Sequence, residues 1–129
     1  MIWTGGVKAS SKLSNFNLGG NVNGLNLNHT LQVIGYDNIF AIGDCVDTIG
    51  DVNSRKRAQT AYKHADVAAL NIANKINSKK LIEYHVADIP TIISMPKCAI
   101  LTHKGLIIQN RLISVLELAI LFRHKWKYG

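Results

Sequence analysis

Cysteine is nearly missing from this sequence: Cys45 and Cys98 are the only two, they lie far apart, and they form no CxxC pair. Two such residues build no disulfide framework, and a reducing, cytoplasmic compartment is the default. The opening Met1 to Gly6 has no charged region followed by an apolar core, so no signal peptide is read there. Long apolar runs are lacking too. The longest, Leu112 to Phe122, is broken by Ser114 and Glu117 and is too short to span a bilayer. No GxGxxG follows a strand, because Gly19, Gly20 and Gly24 sit in an Asn-rich stretch with the wrong spacing. A pyrophosphate cradle at the start of a helix is therefore not encoded in these residues.

Acidic residues number 8 against 15 lysines and arginines, which leaves a formal charge of +7. Such a balance attracts phosphate-bearing ligands, anionic lipid or nucleic acid. The basic residues are spread out, in loose groups at Arg55 to Arg57, Lys79-Lys80 and Arg123 to Lys127, with few aromatics between them for base stacking. Nucleic acid is accordingly not an expected partner. With 47% hydrophobic and 18% charged residues, the composition is that of a globular protein.

Along the chain, Ile2-Trp3-Thr4-Gly5-Gly6 reads as the end of a buried strand and a glycine turn. Lys8 to Asn28 is loop with short extended pieces, anchored by Leu13, Phe16, Leu18, Val22, Leu25 and Leu27. Two strands are expected at Leu31 to Ile34 and Ile39 to Ile42, joined by a turn through Gly35, Asp37 and Asn38. Ile39 to Ile42 is apolar on both faces, the mark of a strand buried in a parallel sheet. A polar loop, Asp47 to Asn53, leads into a helix from Ser54, its N-cap, to Ile76, with a stop at Asn77-Ser78. Its expected buried face is Ala58, Ala61, Ala65, Ala68, Ala69, Ile72 and Ile76, at spacings of three and four.

Beyond Leu81, strands at Ile89 to Met95, Ala99 to Thr102 and Leu106 to Ile108 follow one another without helices, which predicts a small antiparallel sheet. A helix is expected over Arg111 to Phe122, then a basic end, Arg123 to Tyr128. Two domains follow, 1–80 and 81–129. The fold class is α/β plus α+β: a partial Rossmann-like half of strands and one long helix, then the small sheet and its C-terminal helix.

Chemistry concentrates at Gly43-Asp44. Glycine lets backbone approach a ligand at the carboxyl end of a strand, and aspartate there can accept hydrogen bonds from sugar or polyol hydroxyls. The same pair also occurs in ordinary turns, where the aspartate caps its own backbone. Cys45 reads as a small buried residue and His64 as a packing residue of the helix.

The run Asn38-Ile39-Phe40-Ala41-Ile42-Gly43-Asp44-Cys45, followed by Ala58-Gln59-Thr60-Ala61 and His64-Ala65, resembles the second FAD-binding motif of the FAD-dependent pyridine-nucleotide oxidoreductases. Within that family the likeness is to the apoptosis-inducing factor 2 and ferroptosis suppressor branch, and it covers Ile2 to Ile76 most specifically. The resemblance implies that Asp44 holds a hydroxyl at or near the ribityl chain of FAD and that Gly43 allows the close approach. It also implies that the backbone around Arg57, Ala58 and Gln59 faces the flavin ring. No catalytic side chain or metal ligand is expected.

The parent activity so implied is electron transfer from NAD(P)H through FAD to a quinone-like acceptor, with this chain lacking the parts to perform it alone. The Val46 to Asn53 loop is longer than the family pattern, and Met95-Pro96-Lys97 stands where a glycine is expected. The alternative is a non-enzymatic module whose C-terminal amphipathic, basic helix meets a membrane surface or another protein. Association with a membrane or with the mitochondrial surface goes with that alternative.

Overall fold

A computed structural model describes residues 5–86, 90–95 and 98–110, and positions 112, 113, 115, 118, 119, 122 and 126 of the stretch that follows. The expected opening strand at Ile2 to Thr4, the start of the strand at Ile89, Pro96-Lys97 and the basic end Arg123 to Lys125 with Lys127 and Tyr128 lie outside the described residues. The chain forms two compact units, Met1–Val86 and Ala87–Gly129.

The first unit begins with a 3-10 turn, Ser11–Phe16. Strand β1 is Leu25–Leu27, whose alternation puts Leu25 and Leu27 inside with Asn26 half-buried between them. It pairs in parallel with β2, Val46–Ile49, through Leu25↔Val46, Asn26↔Thr48 and Leu27↔Ile49. β2 turns back through Gly50 onto β3, Val52–Asn53, so the sheet is mixed, in the order β1-β2-β3. Asp47 to Asn53, expected as a loop, is thus a short hairpin. Val46 and Ile49 are both fully buried, and that burial draws the intervening polar residues into a strand.

The strand expected at Ile39 to Ile42 is not a buried parallel strand. It makes a brief antiparallel contact with Leu31 to Val33, through a bridge Gln32↔Phe40 and bonds from Val33 N–H to the Ile39 carbonyl (2.9 Å) and Ala41 N–H to the Leu31 carbonyl (3.2 Å). Ala41 is buried, Ile39 and Phe40 are half-buried, and Ile42 is 42% exposed. A strand apolar on both faces reaches full burial only with neighbours on both edges. Here one edge is paired among the described residues.

Helix α1 is Ala58–Ile76. Ser54 is not its N-cap: its Oγ is buried with no hydrogen-bond partner among the described residues, and its N–H donates to the Asp47 carbonyl at 2.7 Å as an extension of the β2–β3 hairpin. The helix starts three residues past the nearest position Ser54 could have capped, with extended Arg57 at the cap and no side-chain cap bond. It ends at Asn77, whose Nδ2 donates to the Ala73 carbonyl at 2.7 Å, and Ser78 takes a left-handed φ of 54°.

The buried face of α1 also differs from the expected alanine stripe. The buried residues are Thr60, His64, Ala68 and Asn71, at intervals of four, four and three, whereas Ile72 and Ile76 are exposed. Only Ala68 was on the expected face. Asn71 explains the choice: its Nδ2 donates to the carbonyls of Thr30 (2.9 Å) and Ile82 (2.8 Å), and its Oδ1 accepts the Ile82 N–H at 2.7 Å. A buried amide with three partners is well accommodated, and it ties the helix to the sheet side and to the connector that follows. That connector carries Tyr84 into the core, where it joins Leu25, Leu27, Leu31, Val33, Ala41, Val46, Ile49 and Ala68.

The second unit is an antiparallel meander of β4 (Thr91–Met95), β5 (Cys98–His103) and β6 (Leu106–Asn110). Lys104 and Gly105, both with positive φ, make the two-residue turn between His103 and Leu106. The small antiparallel sheet is therefore present as expected. The described positions of the C-terminal stretch are helical. Among the described residues, no helix is long and apolar enough to cross a membrane.

Candidate functional site

Gly43–Cys45 forms a single 3-10 turn between Ile42 and β2. Gly43 has φ +73°, a left-handed conformation in which a side chain is strained. Space is not the reason for glycine here, since an added Cβ would meet only the Ala61 methyl at 3.7 Å. The same figure shows how closely the turn lies on the first turns of α1.

Contacts from several elements fix the turn. The Gly43 N–H donates to His64 Nδ1 at 3.2 Å, and the Val46 N–H closes the turn on the Gly43 carbonyl. Lys56 places its ammonium among three backbone carbonyls, Asp44 at 2.6 Å, Asn23 at 2.7 Å and Val46 at 3.1 Å. Three donors on a tetrahedral ammonium meet three acceptors, so the charge is held by the chain's own backbone. On the other side Gly24, with φ +149°, abuts the Cys45 carbonyl so tightly that a Cβ would come within 2.4 Å of it. Beside it, Asn21 Nδ2 donates to Asp47 Oδ2 at 2.7 Å.

Asp44 is exposed at the tip of this fixed turn. Arg57 is half-buried at the helix cap, Ala58 is exposed and Gln59 half-buried. Because Arg57 gives no side-chain cap, the first-turn amides of α1 keep their positive end without a capping oxygen. The five residues singled out in the sequence thus fall on two elements packed against each other. Cys45 is half-buried and donates to the Ile42 carbonyl at 3.1 Å.

Burial lowers the pKa of His64 from its ordinary 6.5 and raises that of Tyr84. The two rings meet edge-on, centroids 4.8 Å apart. His64 does pack along the helix, but it also bonds the turn, which the sequence reading missed. Its place four residues after Thr60 and four before Ala68 was the available signal. Lys56 carried none, being one of three adjacent cations, and Gly24 was indistinguishable from the other loop glycines.

The relatives it matches give the class: this chain belongs to the pyridine-nucleotide oxidoreductase family, in the branch of the ferroptosis suppressor and apoptosis-inducing factor proteins. It is 42% identical over 71 residues to ferroptosis suppressor protein 1 of Mus musculus, across 55% of this chain and 18% of that protein. Apoptosis-inducing factor homolog A of Dictyostelium discoideum is 34% identical over 101 residues, 74% of this chain and 23% of that one. The type II NADH:quinone oxidoreductase of Haemophilus influenzae is 34% identical over 100 residues, covering 74% and 22%. The chain spans about a fifth of the length of the curated relatives it matches. No family model matches it.

Proposed function

We propose that this chain carries half of a FAD site, the turn and helix end that face the flavin in an enzyme moving electrons from NAD(P)H to a quinone-like acceptor. The observation that supports this most directly is the packing of the Gly43–Cys45 turn on the uncapped first turn of α1. FAD, where bound, supplies hydride acceptance and onward electron transfer. The chain's own part is to present acceptors and donors: Asp44 for a hydroxyl of the cofactor, and the amides around Arg57, Ala58 and Gln59 for negative charge on its ring. Gly43 supplies the left-handed backbone that shapes the turn.

These residues fit one side of a dinucleotide. A pyrophosphate cradle has no counterpart here, since no GxGxxG follows a strand. Alone, the chain therefore binds FAD weakly and does not turn over NAD(P)H. FAD titrated to about millimolar concentration into the 15N-labelled chain, the range where binding is worth only about 4 kcal/mol, should shift amide resonances at Gly43 to Cys45 and Arg57 to Gln59. Shifts elsewhere, or none, would overturn the assignment. Flavin co-purifying in stoichiometric amount would overturn the claim of half a site.

A second reading concerns the C-terminal stretch. Val115, Leu118, Ala119, Phe122 and Trp126 line one surface concavity of about 600 Å³ at helical spacing, with Trp126 89% exposed. Arg111, Arg123, Lys125 and Lys127 adjoin them in sequence. An apolar helical face with flanking cations and a tryptophan suits the headgroup boundary of an anionic membrane on its cytoplasmic side. Co-sedimentation with anionic vesicles, lost on Phe122→Glu, is expected; equal sedimentation of both proteins counts against it.

A further inference from the structure

Two side chains with titratable nitrogens hold the Gly43–Cys45 turn, Lys56 through the carbonyls of Asp44 and Val46 and His64 through the Gly43 N–H. His64 is fully buried on the inner stripe of α1. Because Nδ1 accepts the Gly43 N–H, the ring is neutral with its proton on Nε2, and Nε2 is buried without a hydrogen-bond partner among the described residues. Tyr84 stands edge-on to the ring at 80° and limits its rotation.

A second proton has no place in this arrangement. On Nδ1 it would oppose the Gly43 N–H, donor against donor, and neither ring nitrogen has a carboxylate partner among the described residues. The titratable groups on the elements around the ring are Asp44 and Cys45 on the turn, Lys56 on the turn's carbonyls, Glu83, Tyr84 and His85 on the connector, and Lys63 and Asp66 beside it on α1. Of these Tyr84 alone is in ring contact, while Asp44, Glu83, His85, Lys63 and Asp66 are exposed.

We propose that His64 is the positioning residue of the Gly43–Asp44 turn: the neutral ring holds the Gly43 amide and so sets the backbone of Asp44, and protonation releases the turn. That Asp44 then meets a flavin rests on the function proposed above; the coupling of the His64 proton to the turn does not. The device makes the ligand-facing turn acid-sensitive while the two elements that carry it stay packed.

NMR on the full 15N-labelled chain tests this directly. Above about pH 7, where an ordinary histidine is neutral, a scalar coupling across the hydrogen bond between Gly43 N and His64 Nδ1 is expected. It should vanish with a midpoint below 6.5, in step with the His64 ring shifts. His64→Asn supplies an amide oxygen near the place of Nδ1, so Gly43 should stay protected and lose its pH dependence. His64→Phe keeps a ring for Tyr84 but no acceptor, and Gly43 exchange should rise about tenfold, the equivalent of one net hydrogen bond.

Gly43 resonances that ignore the His64 titration overturn the proposal, and so does His64→Asn losing protection as fully as His64→Phe. If His64→Phe does not fold, the wild-type titration and His64→Asn still decide. FAD that perturbs the turn at no pH, with the His64 coupling as expected, overturns the flavin reading and leaves this inference standing.

Discussion

Asn71 and Ile82 exchange two hydrogen bonds, Ile82 N–H to Asn71 Oδ1 at 2.7 Å and Asn71 Nδ2 to the Ile82 carbonyl at 2.8 Å. The side-chain amide thereby pairs with one residue's backbone as a neighbouring strand would. Together with the Asn74 Nδ2 bond to the Lys80 carbonyl, it brings the connector, and with it Tyr84, onto the helix.

Asn71→Ala leaves one buried N–H and two carbonyls short of partners, and should destabilise the first unit by about 2–4 kcal/mol. Asn71→Asp keeps the acceptor but loses both donor bonds, and should rank close to the alanine variant at neutral pH. Urea unfolding followed by tyrosine and tryptophan fluorescence gives both values. A loss below about 0.5 kcal/mol for either would show that the connector is held without Asn71, by packing and by bonds such as Asn74 Nδ2 to the Lys80 carbonyl and the Tyr84 N–H to the His29 carbonyl.

Lys56→Met keeps most of the side-chain length and removes the ammonium from the Asn23, Asp44 and Val46 carbonyls. The expected loss is about 1.5–3 kcal/mol, that of hydrogen bonds to a charged donor, accompanied by faster amide exchange at Asp44 to Val46. Arg55→Met, next to it in sequence, leaves those carbonyls filled and should leave the Asp44 to Val46 amides as protected as before.

Gly24→Ala and Gly105→Ala separate strain from collision. Gly105, at φ +84°, has open space around an added Cβ, so alanine there costs about 1 kcal/mol of backbone strain. Gly24 adds a Cβ 2.4 Å from the Cys45 carbonyl, a clash with backbone that cannot rotate away. It should cost more than Gly105→Ala and should shift the Gly43 to Cys45 amides, which chemical-shift mapping will show.

Stability should depend on His64 in one direction. Burial lowers its folded pKa below the 6.5 of the unfolded chain, so the unfolded chain takes up the proton first as pH falls. Its contribution is complete above about 6.5 and declines from there toward the folded pKa. Thermal midpoints measured between about pH 7.5 and 5 should fall for the wild type and fall less for His64→Asn.

Asp44→Asn removes an exposed charge at the turn tip and should leave stability within about 0.5 kcal/mol. The FAD-induced shifts at Gly43 to Cys45 should weaken in the same variant. A full set of shifts with asparagine would move the cofactor contact off this side chain.

Local order was legible in the sequence: the long helix and its stop at Asn77, the antiparallel strands past Thr91, the Lys104-Gly105 turn and the Gly43-Asp44 pair all carry signals within a few residues. These depend on propensity and periodicity, which neighbours in sequence determine. What tertiary structure decided was partnership. Ile39 to Ile42 has the pattern of a central strand, yet its burial depends on edges supplied from elsewhere, and Ile42 ends exposed. The alanines of α1 offered one plausible face, but Asn71 and His64 satisfy backbone groups at Ile82, Thr30 and Gly43, and the helix turned the face of Thr60, His64, Ala68 and Asn71 inward instead. Ser54, held at the end of the hairpin by its N–H bond to the Asp47 carbonyl, lies three residues before the position that caps α1. A hydrogen-bonding group is fixed by the partner it finds, and these partners lie up to 41 residues away along the chain.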